Sequence, residues 1–109
     1  MTRGAIVVVA AKGPYPGKPR PALVVQSDLF NPTHSSVTIC PITSDCVDAP
    51  LFRVALPPGE RTGLRRPSQI MVDKIVSVPR SAIADQLGKC DEAELRAADD
   101  ALRRWLALS

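Results

Sequence analysis

The sequence predicts a mainly β fold: an antiparallel, strongly curved sheet or small barrel, finished by one C-terminal α-helix. Three observations predict it. Short runs rich in Val, Ile and Leu recur through the first eighty residues, parted by clusters of Gly, Pro, Asn, Asp and Ser. No helix-length segment lies between those runs, which excludes parallel crossover units. The hydrophobic period then turns helical at the end of the chain.

The strand signals are "AIVVVA" (5–10), "PALVVQ" (21–26), "SVTICPI" (36–42), "LFRVAL" (51–56) and "QIMVDKIVSV" (69–78), so at least five strands are expected. Of the eleven prolines, Pro14, Pro16, Pro19, Pro32, Pro50, Pro57, Pro58 and Pro67 fall in connections or at strand starts, where a missing N–H is tolerated. A short helical turn fits "RSAIADQLG". In "CDEAELRAADDALRRWLALS", Asp91 followed by Glu94 forms an Asp version of the capping box. Leu95, Ala98, Leu102 and Trp105/Leu106 recur on one face, a stripe expected to pack on the sheet. Glu92 and Glu94 near the start and Arg103 and Arg104 near the end suit the helix dipole.

Length and composition narrow the function classes. A chain of 109 residues can enclose one modest core, and one domain spanning 1–109 is expected. The longest apolar run, "AIVVVAA", is far short of the roughly 18–20 residues that cross a bilayer. Arg3, a short valine run and then Lys12 do not make a signal peptide, so a cytoplasmic location without a membrane is expected. Cys40, Cys46 and Cys90 lie in no CxxC pair and read as small buried or half-buried hydrophobes; with a single histidine, His34, no metal site is suggested. The motifs of nucleotide hydrolases, dinucleotide-binding proteins and zinc proteases are missing. Residues 1–66 carry eight Lys/Arg against four Asp/Glu, and residues 67–109 six against seven. The basic front favours an anionic partner, and four aromatic residues supply few stacking platforms, so a nucleic acid would be gripped mainly through its phosphates.

Three stretches hold residues suited to such chemistry. In "GKPRPALVV", Pro19 and Pro21 bias the chain around Arg20 toward extended geometry and present its guanidinium, a bidentate phosphate ligand, at a strand's beginning. A solvated or ion-paired edge arginine is the plainer alternative. In "CPITSD", Thr43 and Ser44 supply compact donors at a strand end, although such residues commonly cap their own turn. In "RRPSQIMVDKI", Arg65 and Arg66 precede a strand whose alternation sets Gln69, Met71 and Asp73 on one face. Asp73 there can accept a proton or hold an arginine.

Together, "RGAIV" (3–7), "GKPRPALVVQSD" (17–28), "VTICPITSD" (37–45) and "PSQIMVDKIVSVPR" (67–80) resemble the MazF/PemK family of toxin endoribonucleases from bacterial toxin–antitoxin pairs. The closing "DEAELRAADDALRRWLAL" resembles that family's terminal helix. The resemblance implies an SH3-like antiparallel barrel of MazF/CcdB type, acting as a homodimer on single-stranded RNA without a cofactor. It implies catalytic roles for Arg20, Thr43 and Asp73, with Met71 standing where some members have a second arginine. Lys12, Tyr15, Lys18, Ser44 and Gln69 are the expected RNA contacts. The implied reaction is metal-independent attack by the RNA's own 2′-hydroxyl, leaving a 2′,3′-cyclic phosphate and a 5′-hydroxyl, with His34 a weaker choice than Asp73 for proton acceptor. A cognate antitoxin with an acidic disordered tail is the expected restraint. The alternatives are a CcdB-like gyrase-binding toxin relying on exposed helix residues such as Trp105, and a barrel that binds RNA or a partner without turnover.

Overall fold

β1 (Ala5–Val9) and β2 (Arg20–Val24) form an antiparallel ladder in which Ile6 faces Leu23 and Val9 faces Arg20. The structure, a computed structural model, describes residues 1–10 and 18–109, so Lys12 and Tyr15 lie outside the described residues. β3 (Ser36–Thr43) pairs with β2 along one edge. Its other edge is divided. Ser36 to Ile39 pair with β6 (Val76–Pro79), and Ile42 and Thr43 pair with β5 (Ser68–Met71). Pro41, with no N–H to donate, falls at the changeover. β4 (Arg53–Leu56) pairs with β5, and β7 (Ile83–Lys89) pairs with the outer edge of β1.

Every pairing among the described residues is antiparallel, in the order β4-β5-β3-β2-β1-β7 with β6 also on β3. The sheet is strongly shared through β3, and its hydrogen-bonded path from β4 to β7 stays open.

Period-two alternation sorts the core. Ile6, Leu23, Cys40 and Ile42 point to one face, where they meet Val54, Leu56, Ile70 and Val72 and the helix residues Ala98 and Ala101. Ala5, Val7, Ala22, Val24, Val37 and Ile39 point to the other and gather with Val78 and Ile83. Ile6, Leu23 and Ile70 have no exposed surface, and burying each such side chain contributes about 1.5–3 kcal/mol.

The helix α1 (Glu92–Leu106) has the expected capping box: Asp91 accepts from the Glu94 N–H at 2.8 Å, and Glu94 accepts from the Asp91 N–H at 2.9 Å. Ala107 ends it in the left-handed region. Fully buried alanines at 98 and 101 let the helix lie close on the core, with Leu95 and Leu102 beside them. Arg3 ion-pairs with Asp99 and donates to the Val25 carbonyl, joining helix to sheet. No helix among the described residues is long and apolar enough to cross a membrane.

Several expectations need correcting. The run 69–78 is two strands, because Val72–Lys74 forms a 3-10 turn that redirects the chain from β5 to β6. The helical turn near residue 80 is confined to Arg80–Ala82, and the rest of that stretch is β7, a strand too polar to show alternation. The helix stripe is core only through Leu102: Trp105 and Leu106 are about half exposed, with the indole 5.9 Å from the Phe52 ring.

Cys46 is exposed, not buried, whereas Cys40 is buried and Cys90 half-buried. Burial pushes the Cys40 thiol up to about 12, with the Asp73 charge adding to it, and does the same to Cys90. Unfolded thiols ionise near 9.0, so these two groups cost stability as pH rises from 9 toward 12 and have no effect below. At pH 8 the native protein should react with a thiol reagent at Cys46, and Cys46→Ser should abolish that labelling. Native labelling of all three thiols would contradict this.

Candidate active site

The start of β2 and the end of β3 are brought together by register. Ala22 pairs with Pro41, and carrying that ladder two places further sets Arg20 opposite Thr43. Both residues line one hollow of about 320 Å³, with Lys18, Pro19, Pro21, Ile42, Ser44, Leu64, Arg65, Arg66 and Ser68. Its lining holds four cationic side chains and no carboxylate. Among the described residues none of those four joins an ion pair. Residues 11–17 themselves carry no acidic side chain.

The hydroxyls sit where they can donate. Thr43 Oγ1 accepts the Asp45 N–H at 3.0 Å, the turn-capping bond anticipated for such a residue, and this leaves its own proton to offer. The basic pair is held by its loop. Ser68 Oγ donates to the Arg66 carbonyl at 2.9 Å, and the buried Thr62 hydroxyl donates to the Pro57 carbonyl at 2.8 Å while accepting the Leu64 N–H at 3.3 Å. Arg65 and Arg66 thus enter the hollow although the sequence reading assigned them no contact; the signal was the doubled arginine before "PSQ".

Other expected residues stand elsewhere. Asp73 sits in the Val72–Lys74 turn and does not line the hollow; its Oδ1 is buried without a hydrogen-bond partner among the described residues, and its charge is felt by the buried Cys40 thiol of β3. His34 is exposed in the turn after Asn31, where its carbonyl accepts from Arg80 at 2.8 Å. Gln69 faces Thr43 across the β3–β5 ladder, but its amide is engaged by protein: the oxygen accepts the Val47 N–H at 3.1 Å and an Arg53 N–H at 2.9 Å, and the nitrogen donates to the Val47 carbonyl at 2.9 Å.

A second hollow, about 440 Å³, lies between β4 and α1, lined by Arg53 and Arg104 but also by Glu94 and Asp100. Its charges balance. The hollow around Arg20 carries a single sign, and its donors suit a phosphate with a hydroxyl to grip one oxygen and guanidinium groups to neutralise the others.

A family model described as PemK-like, MazF-like toxin of type II toxin–antitoxin system matches residues 2–106. The chain belongs to this toxin family. Across 109 residues it is 42% identical to a protein named probable endoribonuclease MazF from Mycolicibacterium smegmatis, covering 100% of this chain and 99% of that one. Its fold matches a mycobacterial endoribonuclease solved in complex with its cognate antitoxin, with a TM-score of 0.83 and 22% identity over 100% of this chain and 97% of that one. It also matches a MazE-MazF structure from Deinococcus radiodurans, with a TM-score of 0.80 and 26% identity over 98% and 96% of the two chains. Among the described residues of this PemK/MazF-like toxin, the hollow at Arg20 and Thr43 is lined by four cations and no carboxylate.

Proposed function

We propose that this chain is a toxin endoribonuclease that cleaves single-stranded RNA in the cytoplasm and is held in check by a cognate antitoxin. One observation carries the reading: Arg20 and Thr43, assigned to the same phosphate from separate segments, line one hollow with three further cations and no carboxylate.

Attack of the 2′-oxygen on phosphorus forms the O2′–P bond of a 2′,3′-cyclic phosphate, and cleavage of P–O5′ releases a 5′-hydroxyl. Negative charge grows on the non-bridging oxygens as the bond forms. The Arg20 guanidinium and the Thr43 hydroxyl meet that charge from fixed positions, so they cost no reorganisation when it appears. Lys18, Ser44, Arg65 and Arg66 hold the flanking backbone. Among the described residues the lining side chains are cationic, hydroxyl-bearing or apolar, and Asp73, the first choice from sequence, is not one of them, so we assign the 2′-hydroxyl proton to solvent, which also protonates the leaving oxygen. A cationic, hydroxyl-lined cleft repels a divalent cation, and the reaction is assigned to side chains and solvent without a metal. DNA, lacking the 2′-hydroxyl, binds and is not cut.

We read the curved sheet as an SH3-like barrel whose last seam is the backbone bond from the Lys89 N–H to the Arg61 carbonyl, 2.8 Å, where Arg61 also grips Glu94. The active form is read as a homodimer, and the antitoxin as a chain whose acidic disordered tail folds along the basic hollow and competes with RNA.

Incubating the purified protein with a defined single-stranded RNA in EDTA should give fragments with 2′,3′-cyclic phosphate and 5′-hydroxyl ends. A requirement for magnesium, or 5′-phosphate ends, would overturn the mechanism.

A further inference from the structure

Gln69 and Arg53 stand beside the proposed phosphate site without lining it. Thr43, Gln69 and Ala55 face one another across β3, β5 and β4, and Arg53 lies two residues before Ala55 on the same face. The opposite face carries Ile42, Ile70 and Val54 into the core, so the register of these three strands cannot slip without exposing it.

From that face Gln69 reaches over the segment that leaves β3. Its amide takes both backbone groups of Val47, as a neighbouring strand would. Arg53 braces the same amide oxygen and donates to the Asp45 carbonyl at 3.2 Å. Its Nε is buried with no partner among the described residues, so this guanidinium directs its bonding to the loop. Thr43, the last residue of β3, and Ser44 after it lead directly into these tethered points, and both are hydroxyl donors of the hollow.

We propose that Gln69 and Arg53 are positioning residues, a clamp on residues 45–47 that holds the Thr43 and Ser44 hydroxyls at the scissile phosphate. The proposal rests on the endoribonuclease reading. A clamp of this kind acts on the transition state, where a misplaced donor loses most, and little on RNA binding, which the four cations supply.

The test has two arms. In the first, kinetics on a defined RNA should show Gln69→Ala lowering kcat about tenfold or more with KM changed less than about threefold. Gln69→Glu keeps the acceptor for the Val47 N–H and Arg53, and should recover most of the loss. Arg53→Ala should match Gln69→Ala, and the double variant should be no slower than either single one, because both changes release the same clamp. A rise in KM at constant kcat would mean that Gln69 touches RNA, and unchanged constants would mean that the clamp is idle; either result overturns the proposal. The second arm needs no RNA: amide exchange at Val47 should accelerate in Gln69→Ala while strand amides of β1 and β2 stay protected. Unchanged exchange at Val47 overturns the clamp even if activity falls. A wild type that cuts no RNA sinks the endoribonuclease reading instead, and exchange alone then decides whether the clamp exists.

Discussion

Replacing Arg20 by Ala is expected to slow RNA cleavage by about 10²–10³-fold, the loss typical of removing one fixed donor from developing oxyanion charge. The fold should be untouched. The side chain is exposed at the first position of β2, it enters no ion pair among the described residues, and its strand is held by ladders on both edges. The melting temperature of Arg20→Ala should therefore match that of the wild type. Most of the effect should fall on kcat, because Lys18, Arg65 and Arg66 still hold the flanking phosphates. Arg20→Lys should recover only part of the rate, since an ammonium keeps the charge and loses the two-pronged geometry. Full activity in Arg20→Ala would overturn the role given to Arg20 and pass the stabilisation of developing charge to the other lining cations, Lys18, Arg65 and Arg66.

Gly88→Ala is expected to destabilise the fold strongly. A Cβ built at Gly88 would lie 2.6 Å from the Thr62 carbonyl oxygen and closer still to that of Arg61, inside the 3.0 Å that real Cβ atoms essentially never cross. Both obstacles are backbone, so neither can rotate away. Relief requires β7 to part from the segment 61–63, breaking the bond from the Lys89 N–H to the Arg61 carbonyl and pulling Arg61 from Glu94. Overpacking of this kind costs about 3 kcal/mol, which in a domain of this size lowers the melting temperature by about 12–24 °C. Thermal unfolding followed by circular dichroism reads it directly. A variant melting within a few degrees of the wild type would show that the seam yields freely.

Local chemistry made some of this molecule readable from its residues and long-range pairing hid the rest. Asp91 and Glu94 carry their own instructions: a capping box needs partners three residues apart, and it forms as expected. The strands 5–9, 20–24 and 36–43 announce themselves because their apolar residues are buried on one face or both. β7 gives no such sign, since most of its side chains are exposed and it is held by backbone bonds to β1. The break at Val72–Lys74 is equally silent, because Ile75 and Val76 prolong the apolar run past the turn. At the candidate site, the resemblance named Arg20 and Thr43, and only the β2–β3 register explains why they meet. Arg65 and Arg66 join them by way of a loop whose shape depends on the Thr62 and Ser68 hydroxyls. Gln69 was expected to contact RNA; what occupies its amide is Val47, a residue on the far side of a loop that no spacing rule connects to it.

The pairing of β1 with β7 sets a timetable for synthesis. The first strand to leave the ribosome waits for the last one before its outer edge is covered, and the helix that roofs the core follows later still. A growing chain can zip β1, β2 and β3 early, yet it must carry an unsatisfied edge until residue 89 is free. Closure of that edge therefore comes after the first three strands have paired, and a chain halted short of β7 stays an open hairpin stack.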